Sequence, residues 1–493
     1  MKFSKLTLAI ATTLGASASF SAFAIDLYVD TKTKQIYAEP GRGRVLMGAF
    51  ERVEDKPVVA PADAAEIATV RQDLEMKTNE IKALQEHMDE VEKVKVTVDK
   101  KGLTAETADK DFKFNLGGRI QTDANYTVNG NYVAAGTANT PFPIQENAND
   151  GTEVRRARID FTGTFYKDWN FKTQIDFADN AVAVKDLFVQ YNGLDYVNIT
   201  GGQQKQNFSQ ELLESSNDLM FTERSLMNVL NAPLVDRAIG LNFQSIAKTG
   251  YTAALGFYGD TINPNKTLGN ANEGWSINGR ATYAPIEEKT KVVHLGIAGN
   301  YRQPNGSDKV MDKTLVYEYE TDHMSNLFLI ESDVSLINNI SMLGLEASGL
   351  YGPFSVNSEY THQWLSREGN NDNLSFDGWY VDAAWSITGE SRKYKQGKFY
   401  KLSPAKEFSF KNGTWGAFEL ATRYSGVDVN SNNFKGGSLQ NITVAVNWYF
   451  NDNIRLMTDW TRAFDVHYPA VTTDGGGAPN DNNTFTIRAQ LAY

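Results

Sequence analysis

From Phe112 to Tyr493 the chain alternates apolar and polar residues with a period of two, and it does so in long segments. Phe112, Phe114, Leu116, Gly118, Ile120 and Ala124 share one phase, and Lys113, Asn115, Arg119, Gln121 and Asp123 share the other. The pattern returns in Ala157 to Phe165, Trp275 to Tyr283, Trp379 to Ile387, Ile442 to Phe450 and Phe485 to Tyr493. Successive side chains of a strand point to opposite faces, so each segment reads as a strand with one apolar face. A soluble sandwich would alternate as well. Segment length separates the two. These run ~10 to 14 residues, enough for a tilted strand to cross hydrocarbon, whereas soluble strands more often run ~5 to 6. Aromatics gather near segment ends, and short connections (Lys167-Asp168, Asn451-Asp452) exchange with long polar ones (127–152, 261–272, 466–482). Both are marks of outer-membrane barrels. The expectation for residues 111–493 is an all-β transmembrane barrel of about 16 antiparallel strands, wide enough to hold an aqueous channel.

The N-terminus fits that destination. Lys2 and Lys5 precede an apolar run from Leu6 to Leu14, and Ala22-Phe23-Ala24 supplies a small-residue cleavage site. Residues 1–24 therefore read as an export signal, with the mature chain starting at Ile25. The chain contains no Cys, which removes disulfide frameworks and thiolate metal sites. A net charge of −12 argues against nucleic acid as a partner. Gly-x-Ser-x-Gly, His-Glu-x-x-His and P-loop patterns are absent. The five histidines (His87, His294, His323, His362, His467) are scattered, so no catalytic residue, metal site or cofactor is expected.

Residues 25–60 read as a short β element. Residues 61–98 change period. Ile67, Leu74, Ile81 and Met88 recur every seven residues, and Val70, Lys77, Leu84 and Val91 follow three later. Apart from Lys77 these are a and d positions, and no Gly or Pro occurs between 62 and 101. The segment reads as a periplasmic α-helical coiled coil that joins copies of the chain, consistent with a homotrimer. A coil in this place could also act as a tether to peptidoglycan.

The segment Phe114-Asn115-Leu116-Gly117-Gly118-Arg119-Ile120-Gln121 resembles the opening strand of the phosphate-selective porin O and P family. Arg155-Arg156-Ala157-Arg158 through Tyr166-Lys167-Asp168-Trp169 resembles its second strand and turn. Val292-Val293-His294-Leu295-Gly296, Ile387-Thr388-Gly389-Glu390 and Val446-Asn447-Trp448-Tyr449 follow in the family's order. The resemblance implies sixteen-stranded trimeric channels in the outer-membrane lipid. It also implies lumen arginines and lysines that draw small solutes and inorganic anions, phosphate above all, through a narrow eyelet. Barrel hydrolases form the alternative class.

On the polar phase, Arg119, Arg156, Arg158 and Asp160 face the channel. Arg155 does so only if a bulge turns it inward, and the family's matching arginine pair lies at the eyelet. Guanidinium suits oxyanions because it binds them bidentately and keeps its charge. A connection near 205–235 is the expected constriction loop, carrying Glu211, Glu214, Asp218, Glu223 and Arg224. Here the chain departs from the family. Leu212 and Asn217 stand at loop positions where lysines are expected, and the 314–322 stretch carries Glu318, Glu320 and Asp322 in place of a basic ladder. The expectation is a transverse field between basic and acidic walls, with a modest anion preference and weak phosphate binding.

Overall fold

The computed structural model describes residues 25–50, 63–91, 94–128, 131–134, 144–245, 250–262, 272–305, 313–473 and 478–493. The expected export signal, residues 1–24, lies outside them. Two compact units divide the chain, residues 1–87 and 88–493.

In the first unit, Ile25–Asp30 pairs antiparallel with both Ile36–Tyr37 and Arg44–Phe50. A helix then runs Asp63–Val91. Val70, Leu74, Ile81 and Leu84 are all more than half exposed on it. The side chains of Ile67, Met88 and Val91 lie outside the described residues. Among the described residues no second helix packs on the seam, so one chain supplies a single helix and not a coil. The helix also stops short of residue 98. Val94, Val96 and Val98 alternate with Lys95 and Thr97, and this β-branched run forms strand Val94–Asp99 instead.

In the second unit, sixteen strands close a barrel. They are β1 Phe112–Val128, β2 Gly151–Phe165, β3 Trp169–Asp176, β4 Ala183–Tyr191, β5 Val197–Lys205 and β6 Arg237–Ser245. Next come β7 Tyr251–Tyr258, β8 Trp275–Glu287, β9 Lys291–Gln303, β10 Ile337–Tyr351 and β11 Phe354–Arg367. The last are β12 Leu374–Ser386, β13 Ala417–Ser431, β14 Phe434–Tyr449, β15 Ile454–His467 and β16 Asn483–Ala492. Every pairing is antiparallel, and β16 closes on β1 from Asn483↔Val128 to Ala492↔Arg119. No helix among the described residues is long and apolar enough to cross a membrane.

The alternation produces an inside-out molecule. On β16, Phe485, Ile487 and Leu491 face outward and are exposed, while Thr484, Thr486, Arg488 and Gln490 are buried inside. Exposed apolar side chains on the other wall strands, β5 apart, suit a hydrocarbon surround.

The lumen is not an open pipe. The connection 206–236 and the hairpin Leu315–Glu320/Phe328–Val334 both fold inward. Phe208, Leu226, Leu230, Leu234, Tyr317 and Leu329 are buried with Ile340, Phe376 and Val427 of the wall. This apolar core fills the side of β10 to β14. The sequence predicts a polar interior throughout, because a strand's period says nothing about loops that return to cover it.

Two connections at the short-turn end are unusual. The segment 387–416 is thirty residues long, whereas its neighbours span two to five (352–353 and 192–196 are the extremes). The hairpin Val94–Asp99/Gly102–Thr107 pairs with β1 just below the chain's end, Leu103↔Leu116 to Glu106↔Lys113. It thereby continues the line of β16 past Tyr493.

Candidate functional site

The inward connection 206–236 is held by groups of the barrel wall. Ser209 caps the short helix Gln210–Leu213, accepting from the Leu212 N–H at 3.2 Å. The N–H groups of Gln210 and Glu211 donate to the Glu359 carboxylate at 2.9 and 2.7 Å, a favourable pairing at a helix start. Thr222 donates to Asp459 through both N–H and hydroxyl, at 2.7 and 2.8 Å. Arg455 donates to the Leu219 carbonyl at 2.8 Å and Arg423 to the Glu223 carbonyl at 3.0 Å. Helix Asn228–Val235 then buries Val229, Leu230, Leu234 and Val235 in the luminal core.

What remains open is a cavity of about 660 Å³ against β1 to β6. Arg119, Arg155, Arg156 and Arg158 line it, as do Lys172, Lys185, Lys205, Arg224, Arg237, Arg280 and Lys398. Carboxylates on the same lining are Asp176, Asp179, Asp186, Asp218 and Asp236, so cations exceed them by six.

Arg155 reaches this lining through a bulge. Gln121 pairs with Arg156 and Asp123 with Glu153, leaving one extra residue in β2 opposite Thr122. The shift breaks the alternation and turns two consecutive arginines inward. Arg155 Nε lies 2.9 Å from Glu223, Arg156 Nη2 3.7 Å and Arg488 Nη2 3.0 Å from the same carboxylate. Desolvation inside the barrel raises the Glu223 carboxyl, but the three guanidinium charges outweigh it and hold it well below the usual range. Arg156 also donates to Gln121 at 3.0 Å. Arg158 pairs with Asp176 at 2.6 Å. Arg119 donates to Ser216 at 2.8 Å and stands 3.8 Å from Asp160.

The acidic residues of the loop do not form an open wall. Glu211 accepts from the Ser225 N–H and hydroxyl at 2.8 and 2.7 Å and meets Arg423 at 3.4 Å. Glu214 stands 3.8 Å from Arg392, and burial pushes its carboxyl up to about 7. Asp218 receives the Lys401 N–H at 3.3 Å. Arg392 and Lys401 belong to the long segment 387–416, whose first half rises into the lumen and meets the loop from below. Of the acidic side expected from the sequence, Glu211 and Glu214 are turned into buried pairs, whereas Asp218 lines the cavity and Glu318 and Glu320 stand at its outer mouth.

Sequence reasoning missed Lys172, Lys185, Lys205, Arg237 and Lys398 as lining residues. Lys172, Lys205 and Arg237 lie on the polar phase of their strands, and that phase could have found them. Lys398 could have been flagged by counting thirty residues at an end where two to five is the rule. Outside the cavity, Glu318 and Glu320 of the luminal hairpin line the outer mouth with Arg155, Arg156 and His323. His323 pairs with Glu153 at 2.8 Å, and His294 is buried between Glu346 and Tyr394 at 3.0 and 2.7 Å. No group of metal-ligating residues occurs among the described residues.

The chain is 26% identical over 431 residues to Porin O of Pseudomonas aeruginosa, covering 80% of this chain and 91% of that one. It is 26% identical over 355 residues to an uncharacterized protein of Caulobacter vibrioides, covering 70% and 67%. Among solved structures, an anion-selective porin from Comamonas acidovorans superposes with a TM-score of 0.47 at 13% identity, over 78% of this chain and 100% of that one. The outer membrane channel DcaP of Acinetobacter baumannii superposes at 0.46 with 12% identity, over 79% and 99%. The family model for phosphate-selective porin O and P matches residues 126–493, and the chain belongs to that family of outer-membrane porins.

Proposed function

We propose that the passive channel formed by this porin prefers anions, and that the preference arises on the wall of β1 to β6. One observation carries the reading. Lys185, Lys205, Arg224 and Lys398 line the cavity, and among the described residues none has a carboxylate within 4.0 Å. Lys205 and Arg224 donate only to backbone carbonyls, of Leu212 and Glu214 and of Glu211 and Glu214 respectively. No carboxylate at ion-pair distance offsets these groups, and a row of like charges on a low-dielectric wall draws counter-ions into the lumen. Arg155 and Arg156, shared by the cavity and the outer mouth, place positive charge at the entrance.

Phosphate is one of the anions this wall would admit, held weakly because Glu318 and Glu320 stand at the mouth. The test is the reversal potential of the purified channel in a potassium chloride gradient. An anion-selective value is expected, moving toward cations in Arg156→Glu. A cation-selective value in the unmodified protein would overturn the reading. Block of the chloride current by micromolar phosphate would show the anion site to be tighter than argued. The homotrimer and the coil between copies remain part of the same proposal, supported by the exposed seam of helix Asp63–Val91.

A further inference from the structure

The thirty-residue segment 387–416 has two arms. Its first arm, described above, rises into the lumen with Arg392, Lys398 and Lys401. Its second arm, 405–416, turns back outside the wall at the periplasmic ends of β13 and β14. There the Phe408 N–H donates to the Phe450 carbonyl at 2.7 Å, and Ser409 and Thr414 exchange two backbone bonds at 2.9 and 3.1 Å to form a tight finger. Gly413 at its tip has φ +63°, which suits glycine.

The finger is aromatic. Phe408 packs on Phe410, Phe450 and Trp448 with centroids 4.7, 5.2 and 5.5 Å apart, and on Trp415 at 6.0 Å. Phe410 is nonetheless 80% exposed and Trp415 57% exposed. The Trp448 indole N–H is satisfied internally by the Trp415 carbonyl at 2.6 Å, which leaves that ring free to sit in apolar surroundings. Trp448 also stacks on Phe418, and both stand on the outward faces of their strands. Two residues further along those faces come Leu420 and Val446, exposed members of the lipid-facing band. The cluster is thus continuous with the hydrocarbon-facing surface and extends it toward the periplasm. Lys406 and Lys411 flank the rings and are exposed, with one acid, Glu407, among them.

From this geometry we infer that residues 405–416 form a lipid anchor, seated in the head-group zone of the periplasmic leaflet. The aromatic rings lie at the glycerol level and the two lysines face phosphodiester groups. Amphipathic rings favour that zone, and an exposed cluster of this kind in water would be an aggregation liability. Because both arms belong to one connection, the lipid contact also braces the luminal arm.

The absence of Cys makes the test direct. Phe410→Cys and Asn412→Cys each carry one environment-sensitive fluorophore, in full-length protein refolded into vesicles of phosphatidylethanolamine and phosphatidylglycerol. Heat-shifted mobility on gels verifies the fold, and Asn412, exposed at the tip, serves if the Phe410 variant fails to fold. Nitroxide on the lipid head group is expected to remove most of the emission, with mid-chain nitroxide removing less and aqueous iodide little. Free quenching by iodide with no effect of lipid nitroxide would place the finger in water and overturn the proposal. Protection from both quenchers would mean that another protein surface covers it, and would overturn it equally.

Discussion

Glu223 is the carboxylate on which Arg155, Arg156 and Arg488 converge, and its replacement by glutamine should make the channel more anion-selective. Arg488 keeps a second partner, Asp123, at 2.7 and 2.5 Å. Arg155 and Arg156 have no other carboxylate within 4.0 Å among the described residues. The substitution therefore adds one net positive charge beside two guanidiniums that line both the cavity and the mouth. For an anion passing about 7 Å away, one unit charge amounts to about 0.6 kcal/mol at the dielectric of water and about 2.4 kcal/mol at an effective value near 20. That corresponds to about 3-fold to about 50-fold in anion occupancy. Screening over a Debye length of about 10 Å at 0.1 M salt favours the lower end. The loop should stay in place, since Thr222, Leu219 and the helix start of Gln210 are anchored to the wall independently. The assay is the reversal potential under a salt gradient, with single-channel conductance as the check on the pore's width. An unchanged or more cation-selective potential at unchanged conductance would refute the argument that these arginines act on permeating ions.

Two further outcomes are expected. Burial holds the carboxyls of Glu214 up to about 7 and of Asp322 up to about 6, and raises Glu320, while the Glu153 carboxylate raises His323. Lowering pH from about 8 to about 5 thus removes negative charge and adds positive charge in the loops, so anion preference should rise on acidification; a fall in the salt-gradient potential would contradict this. Replacing Ile81 and Leu84 by Asp should abolish self-association of the 63–91 helix without altering barrel heat-modifiability; a wild-type peptide that stays monomeric at high concentration would remove the coil altogether.

The barrel was legible because β-strand alternation is local. The alternating segments that begin at 112, 157, 275, 379, 442 and 485 fall on β1, β2, β8, β12, β14 and β16 and overrun none of them by more than one residue. The Arg155 side chain was legible only conditionally, because a bulge depends on the pairing of β1 with β2. Asp218 does line the cavity, but Glu211 and Glu214 are turned away from it, for a different reason. Their partners Arg423 and Arg392 lie more than 170 residues away in sequence, and no periodicity connects them. The luminal core was hidden likewise: Leu226, Leu230 and Leu234 find their neighbours on Leu315 to Val334 and on far strands. The N-terminal helix was visible in its heptads, but its end was set by the Val94 to Val98 run that the seam could not reveal.

The hairpin 94–107 bears on how the barrel can close. Tyr493 exchanges backbone bonds with Gly118 at 2.8 and 2.9 Å, and Asn453 Nδ2 ties the Lys100 carbonyl to the Ala492 carbonyl at 2.7 and 2.6 Å. Directly below, Gly102 (φ +91°) presses against the Leu116 carbonyl, where any Cβ would clash at 2.2 Å. A last strand sliding two residues along its neighbour would drive Tyr493 into space that the hairpin already occupies. The hairpin is an end stop. It leaves the seam between β16 and β1 one of the several offsets that alternation alone would allow, and the stagger with which the barrel closes follows from that offset.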